Sequence, residues 1–359
     1  MYTENALSFL DATFRRIYPQ DLEFRLQAEE RLNQLTMPHW ALGDLMDLAV
    51  DLAGMTRSIR PPVGRKKVVV MVGDHGVAAE GVSRYPAEVT TQMVHNFVRG
   101  GAGINALARL AKAEVCVVDV GAVDDFPELV ANGSVIARKI GRGTANMVYG
   151  PAMTRTHAVM AVEVGIEIAN LLAPEVDIFG TGEMGIGNTT PSAAITAVLS
   201  GRKVEELTGR GTGIDDQRLR HKIKVIEQAI TKNRPDPKDG LDVLAKVGGF
   251  EIGALAGLII GAAANRKPVV VDGFISAAGA MIAQSLEPFV RDYLICAHQS
   301  VEPGHGVLLD KLRHRPLLDL NLRLGEGTGA ALAMYLVDAA VAILTEVATF
   351  DEAGVSGAA

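Results

Sequence analysis

Strand-length apolar runs recur along this chain, and several end on a glycine beside an acidic residue. They are VVVMVGD at 68–74, VCVVDVG at 115–121, VDIFGTG at 176–182, PVVVDG at 268–273 and DYLICA at 292–297. Helical spacing of apolar residues fills the stretches between them. Continuous apolar strands alternating with helices imply a parallel sheet covered on both faces, so the expected class is α/β. Gly73 with Asp74, Gly182 with Glu183, and Asp272 with Gly273 close three of the runs. Ligands of open parallel sheets bind beyond the carboxyl ends of the strands, which puts these pairs along one crevice.

The two ends of the chain read differently. Residues 1–62 carry two or three helices, visible in LQAEERLNQL and LGDLMDLAVDLAGM, and Pro61 and Pro62 end the section. After Glu326, GTGAALAMYLVDAAVAILTEV is a strong helix expected to pack with them. At 359 residues the chain exceeds one ordinary core. The expected division is a Rossmann-like large domain over 63–327 and a small helical domain from 1–62 plus about 328–350. Thirty-eight glycines suit many tight strand-to-helix turns.

A net charge of -7 without a Lys/Arg stripe argues against a nucleic-acid partner. Cys116 and Cys296 each lie inside an apolar run, so buried thiols are expected rather than a disulfide framework or zinc cluster. The opening MYTENALSFLDATFRR mixes charges among apolar residues, unlike a signal peptide. The longest apolar run, Ile252 to Ala264, is too short and glycine-rich for a membrane span. A cytoplasmic protein is expected.

Three glycine-rich turns carry the chemistry. GTGEMGIGNTTPSAAIT at 180–196 contains G-x-G-x-x-G at Gly180, Gly182 and Gly185. A dinucleotide site also needs an acid ending a second strand about twenty residues on. Glu205 and Glu206 of SGRKVEELTG sit in no apolar strand, so a Rossmann-type oxidoreductase is only a rival reading. The turn itself suits an anion. Gly185 and Gly187 allow close approach, and the helix opening at Asn188, Thr189, Thr190 and Pro191 offers N–H groups to a phosphate. No G-x-x-x-x-G-K-[ST] loop occurs. The second turn, LTGRGTGIDD, precedes a helix bearing Lys222, a candidate phosphate or carboxylate partner. The third, RLGEGTGAALAM, frames Glu326 between Gly325 and Gly327 ahead of a long helix. Asp74, His75, His298 and His305 lack metal-ligand spacing, so hydrogen-bonding roles at the crevice rim are expected of them. No G-x-S-x-G elbow is present.

Taken together, GDHGVAAEGVSRYPAEVTTQMV, GTGEMGIGNTTPSAAIT, NRPDPKDGLDVLAKVGGFEIGALAG, VDGFISAAGA and RLGEGTGAALAM resemble the nicotinate-nucleotide:dimethylbenzimidazole phosphoribosyltransferases of cobalamin assembly. The resemblance runs from about residue 30 to 345. It implies a homodimer that converts nicotinate mononucleotide and 5,6-dimethylbenzimidazole to α-ribazole 5'-phosphate and nicotinate. Carried over, the catalytic glutamate falls on Glu326, a second active-site glutamate on Glu183 and the active-site lysine on Lys222. Ser83 to Met93, including Tyr85, corresponds to the base pocket, and Ser300 to a phosphate-side contact. Asp272 and Gly273 join them at the crevice. The chain departs from the family at LTMPHWALG, residues 35–43, where many members read L-T-K-P-x-G-S-L-G.

The residues agree with that chemistry. Nicotinate leaves a pyridinium ribosyl bond as a neutral ring, so no general acid is needed. Attack by a benzimidazole nitrogen develops positive charge that a carboxylate relieves by taking the other ring proton, typically worth about 10² to 10⁴ in rate. A second carboxylate, Glu183, can stabilise the cationic ribosyl transition state. Neither step requires a metal or a redox cofactor. The helix amino end lowers the pKa of Glu326 and burial raises it. A catalytically silent protein that sequesters a flat aromatic base is the other rival. The preferred base depends on pocket shape and is not legible in a motif.

Overall fold

The computed structural model describes residues 8–356 and contains a six-stranded parallel sheet in the order β3-β2-β1-β4-β5-β6. Its strands are β1 Lys66–Gly73, β2 Ala113–Gly121, β3 Val135–Ala137, β4 Ile178–Met184, β5 Val269–Val271 and β6 Leu294–Cys296. A separate parallel pair joins β7 His298–Ser300 to β8 Leu318–Leu322. All five apolar runs are strands. β3, β7 and β8 went unread because two are three residues long and β8 is largely exposed, leaving no apolar signal.

From β1 the chain winds outward through β2 and β3, then returns to the other side of β1 as β4 and winds on through β5 and β6. Connections leaving β1 and β4 therefore run to opposite sides, and the gap between them is the natural ligand crevice.

Alternation along β1 separates the two faces. Gly73 faces Glu251, on the helix Phe250–Ala264, whereas Val68 faces Gly180 and Gly327 near the helix Thr328–Glu346. Every residue of Phe250–Ala264 is buried, which explains its uninterrupted apolar character. It crosses the helix Arg155–Leu172 at backbone contact: a Cβ on Gly257 would lie 1.9 Å from the Val162 carbonyl oxygen, and one on Gly165 2.0 Å from that of Ala254.

On the other face, Thr328–Glu346 packs over β4 and β5 and against the helices Asp44–Thr56 and Gly103–Leu110. It is the one helix among the described residues long and apolar enough to cross a membrane, whereas the sequence reading took it as a packing helix and weighed only Ile252–Ala264 as a span. Ala330, Met334 and Val337 on it are buried, and its Asp338 pairs with the buried Lys66 Nζ at 2.6 Å.

Three helices, Phe9–Phe14, Leu22–Leu32 and Asp44–Thr56, account for the amino-terminal section; residues 1–7 lie outside the described residues. The divergent 35–43 segment ties both chain ends together through an antiparallel bridge between Leu35 and Thr349. Trp40 stands where the family pattern has glycine and adopts φ +52°, a conformation that costs a bulky residue about 1–2 kcal/mol. Its indole Nε1 donates to Asp47 at 2.9 Å.

Gly257→Ala should destabilise the fold by about 1–3 kcal/mol, because the new methyl meets backbone and not a movable side chain. Urea unfolding of the variant beside the parent measures this, and an unchanged midpoint would mean that the two helices can part without cost.

Candidate active site

A cavity of about 450 Å³ opens at the carboxyl ends of β4 and β5, and no residue of β1 lines it, so it lies on the β4 side of the expected crevice. The ends of β4, β5 and β7, the GEGTG turn and the loop after β1 all contribute to it. Of the residues singled out from sequence, Ser83, Tyr85, Met93, Glu183, Gly185, Gly187, Asn188, Thr189, Asp272, Gly273, Ser300 and Glu326 line it. Thr190 and Lys222 do not; both are fully buried behind the wall.

Glu326 is held by an unusual backbone. Gly325, Glu326 and Gly327 have φ of +85°, +62° and +93°, a left-handed run that glycine tolerates and glutamate does not favour. The turn seats directly on β4, since a Cβ on Gly182 would lie 2.5 Å from the Glu326 carbonyl oxygen. Its carboxylate Oε2 accepts from the Ile104 N–H at 3.0 Å. The helix end acting on this carboxylate is therefore that of Gly103–Leu110 and not, as the sequence suggested, that of the helix following the turn. Burial pushes its carboxyl above the usual range, with Asp272 adding to the shift against the pull of the Ile104 and Gly103 amides. Burial wins the competition left open by the sequence.

Asp272, rather than Glu326, caps Thr328–Glu346. It accepts from Gly327 N–H at 3.2 Å and Ala330 N–H at 3.0 Å. Glu183 sits beside it, hydrogen-bonded through Asn188 Nδ2. Burial, then the like charge of Asp272, pushes Glu183 up to about 8 despite the favourable Asn188 contact. A value of about 8 favours the protonated form of Glu183 at neutral pH, and a nearby positive charge would shift it toward the anionic form.

The phosphate turn differs from its sequence reading. Three of its amides are already committed: Ile186 N–H donates to Thr90 Oγ1 at 3.1 Å, Asn188 N–H to Gly185 O at 3.1 Å and Thr190 N–H to Gly187 O at 2.9 Å. That leaves the N–H groups of Gly185, Gly187, at φ +94°, and Thr189 without a protein acceptor among the described residues. Lys222, read as a cation facing the ligand, instead donates from Nζ to Thr189 Oγ1 at 2.7 Å from beneath. Burial brings its pKa down to about 8, with Glu302 opposing the shift.

The glycines of the dinucleotide fingerprint lie within β4 or at its end. A Cβ on Gly180 would meet Met334 and Val68, so this glycine and Gly182 make room for the overlying helix and turn and not for a pyrophosphate. The histidines lie deeper than the expected rim. His75 Nε2 pairs with buried Glu251 at 2.8 Å; burial opposes its charge, but Glu251 and Asp74 outweigh it and raise the pKa. His305 Nδ1 accepts from Ser300 N–H at 2.9 Å, and burial takes it down to about 3. His298 lies 3.8 Å from Asp272 and lines the cavity. The thiols of Cys116 and Cys296 are pushed by burial up to about 11 and about 12.

Sequence reasoning missed Glu302 and Ser276, both buried and lining the cavity. Glu302 Oε1 accepts from Gly211 N–H at 2.9 Å, joining the second glycine turn to the site. Neither belongs to a recognisable spacing.

A family model described as phosphoribosyltransferase matches residues 17–355. The chain belongs to this phosphoribosyltransferase family. It is 62% identical to the nicotinate-nucleotide–dimethylbenzimidazole phosphoribosyltransferase of Syntrophotalea carbinolica, over 98% of this chain and 99% of the relative. Identity to the protein of the same name from Desulfotalea psychrophila is also 62%, with the same coverage. The crystal structure of the Thermus thermophilus enzyme of that name superposes with a TM-score of 0.89 at 46% identity, covering 94% of this chain and 100% of that one. The enzyme is thus a pentosyltransferase by family, with a parallel α/β fold.

Burial of Glu183 carries a pH signature in this phosphoribosyltransferase. The folded value of about 8 lies above the ordinary 4.5, so its contribution to stability is fully present below about 4.5 and is lost as pH rises through about 8. Glu183→Gln should therefore flatten the decline in Tm between about pH 5 and 9. Parallel declines in the variant and the parent would place the carboxyl's value near the ordinary one.

Proposed function

We propose that the enzyme transfers phosphoribose from nicotinate mononucleotide to 5,6-dimethylbenzimidazole, giving α-ribazole 5'-phosphate and nicotinate for the nucleotide loop of cobalamin. The observation that carries this reading is Glu326. It is a carboxylate lining an apolar-walled cavity, fixed through one oxygen by Ile104 and raised in pKa by burial. A base of raised pKa is a better proton acceptor at neutral pH than a solvated carboxylate.

In this reading the base lies among Ser83, Tyr85, Met93 and Leu324, with one ring nitrogen toward C1' and the other N–H toward Glu326. The attacking lone pair forms the new C1'–N bond while the electrons of the C1'–pyridinium bond leave with nicotinate. Glu326 takes the second ring proton. Attack opposite the leaving group inverts a β to an α linkage. Gly187 and Thr189 hold the phosphate by N–H groups, with Lys222 bracing Thr189 from below. Ser300 and Gly273 flank the ribose. The cationic pyridinium draws Glu183 into its anionic form, and that carboxylate then faces the positive ribosyl centre. The pyridinium is already an activated leaving group, so the reaction calls on no metal or redox cofactor. The proposal includes a cytoplasmic homodimer, with 63–327 as the large domain and 1–62 plus about 328–350 as the small one.

Glu326→Gln should lower kcat at least about 100-fold while leaving the dissociation constant for the base nearly unchanged. Single-turnover assays with nicotinate mononucleotide, beside base titration, read both quantities. More than about a tenth of parental turnover would remove Glu326 from the role of general base, and saturable base binding by the parent with no product would favour a sequestering protein.

A further inference from the structure

We propose that the buried His75–Glu251 pair is the positioning device for Glu183: it seats the start of the phosphate turn against β1, and its imidazolium cancels the Glu251 charge that would otherwise face the Glu183 carboxyl. The consequence for rate rests on the role given to Glu183 above. Neither member of the pair lines the cavity. Their side chains are 1% and 0% exposed, with His75 Nε2 and Glu251 Oε1 2.8 Å apart. Three glycines make room for them. A Cβ on Gly73 would lie 3.0 Å from Glu251 Oε2, one on Gly249 2.4 Å from His75 Cε1, and one on Gly185 3.1 Å from His75 Nε2. The last contact reaches the site, because Gly185 follows Glu183 by two residues and opens the phosphate turn. The same Cβ would stand 2.2 Å from the Gly73 carbonyl oxygen. With no side chain at 185, the end of β4 closes on both the imidazole edge and the β1 backbone.

Register puts Glu183 on the side of the sheet where the pair sits. Glu183 aligns with Met71 in the parallel β1–β4 ladder, and Met71 is two residues before Gly73, which faces Glu251. Burial and Asp272 raise the pKa of Glu183, and Glu251 adds to them, while Asn188 and the Glu326 N–H oppose the shift. His75 is the only basic side chain paired with Glu251 among the described residues. Glu251 Oε2 and Asp74 Oδ1 have no hydrogen-bond partner there, so the cluster holds no second donor to offset a stray negative charge. Asp74, beside His75 in the chain, accepts through Oδ2 from Val123 N–H at 2.8 Å. Asp119 on β2 is tied to Lys139 at 3.3 Å, and His298 lies 3.8 Å from Asp272. All of these are the same in the variants below. With His75 protonated the pair is neutral; without it one buried carboxylate stands uncompensated near another.

The test compares His75→Gln, Glu251→Gln and the double variant, through the pH profile of kcat/KM for nicotinate mononucleotide and through thermal melts. In the parent kcat/KM should rise with pH as Glu183 ionises, since the ionised form is the one that faces the ribosyl cation. His75→Gln leaves Glu251 unpaired. This limb should then move up by about one pH unit and kcat/KM near neutrality fall about tenfold, the size expected of one added buried charge at an effective dielectric constant of about 20. Glu251→Gln and the double variant keep the pair neutral and should leave the limb in place. A purely steric role would move the limb alike in His75→Gln and the double variant, since both lose the ring. That result, or an unmoved limb in His75→Gln, would overturn the proposal. Should His75→Gln fail to fold, the double variant decides: the parental limb supports charge cancellation and a shifted limb refutes it. The melts need no turnover. Ionisation of Glu183 costs stability as pH rises, so the Tm difference between each form and its Glu183→Gln counterpart should level off at higher pH in His75→Gln alone. If that shift is seen while the mononucleotide and base give no product, the positioning pair stands and the transferase reading fails.

Discussion

The site depends on the missing side chain at Gly182. Any Cβ there would collide with the Glu326 carbonyl, so only glycine lets the GEGTG turn lie on β4. Three consequences follow from that seating. The helix Thr328–Glu346 starts over β4 and β5, where Asp272 can cap it. Glu326 is forced into a left-handed conformation. Its side chain is thereby brought to the amino end of Gly103–Leu110, a helix far away in sequence.

The cavity concentrates carboxylates. Glu183, Asp272, Glu302 and Glu326 all line it, and burial raises the pKa of Glu183, Asp272 and Glu326. Such crowding is expensive unless each charge is neutralised by a proton or offset by a dipole. Asp272 and Glu326 lie at helix amino ends, and Glu183 keeps its proton near neutrality. A ligand with a positive ring nitrogen and negative groups at its periphery complements this layout. Lys222 stands outside the cavity and donates to Thr189, which lines it.

Much was already legible in the residues. The five apolar runs became strands because burial on both faces demands continuous apolarity, and Glu183, Asp272 and Gly273 came together at the cavity because parallel strands share one carboxyl edge, whereas Gly73 and Asp74 on that edge do not line it. The three glycine turns likewise announced a site, and Glu326 among them. Other features have no local signature. Lys222 was legible as a candidate cation after a glycine turn but not as a fully buried one bonded to Thr189, and Ser276 reads as one small residue among several in FISAAGA.

Local pattern by itself determined the α/β class, the strand edge at which the cavity opens and many of the residues that line it, because periodicity and glycine placement act over a few neighbours. Tertiary structure alone decided which helix end meets which carboxylate, which amides of the phosphate turn stay free, and that Gly180 and Gly182 serve packing rather than a pyrophosphate. Those outcomes depend on distances between segments far apart in the chain. A hydrogen bond such as Ile104 to Glu326, spanning 222 positions, leaves no trace in the sequence on either side of it.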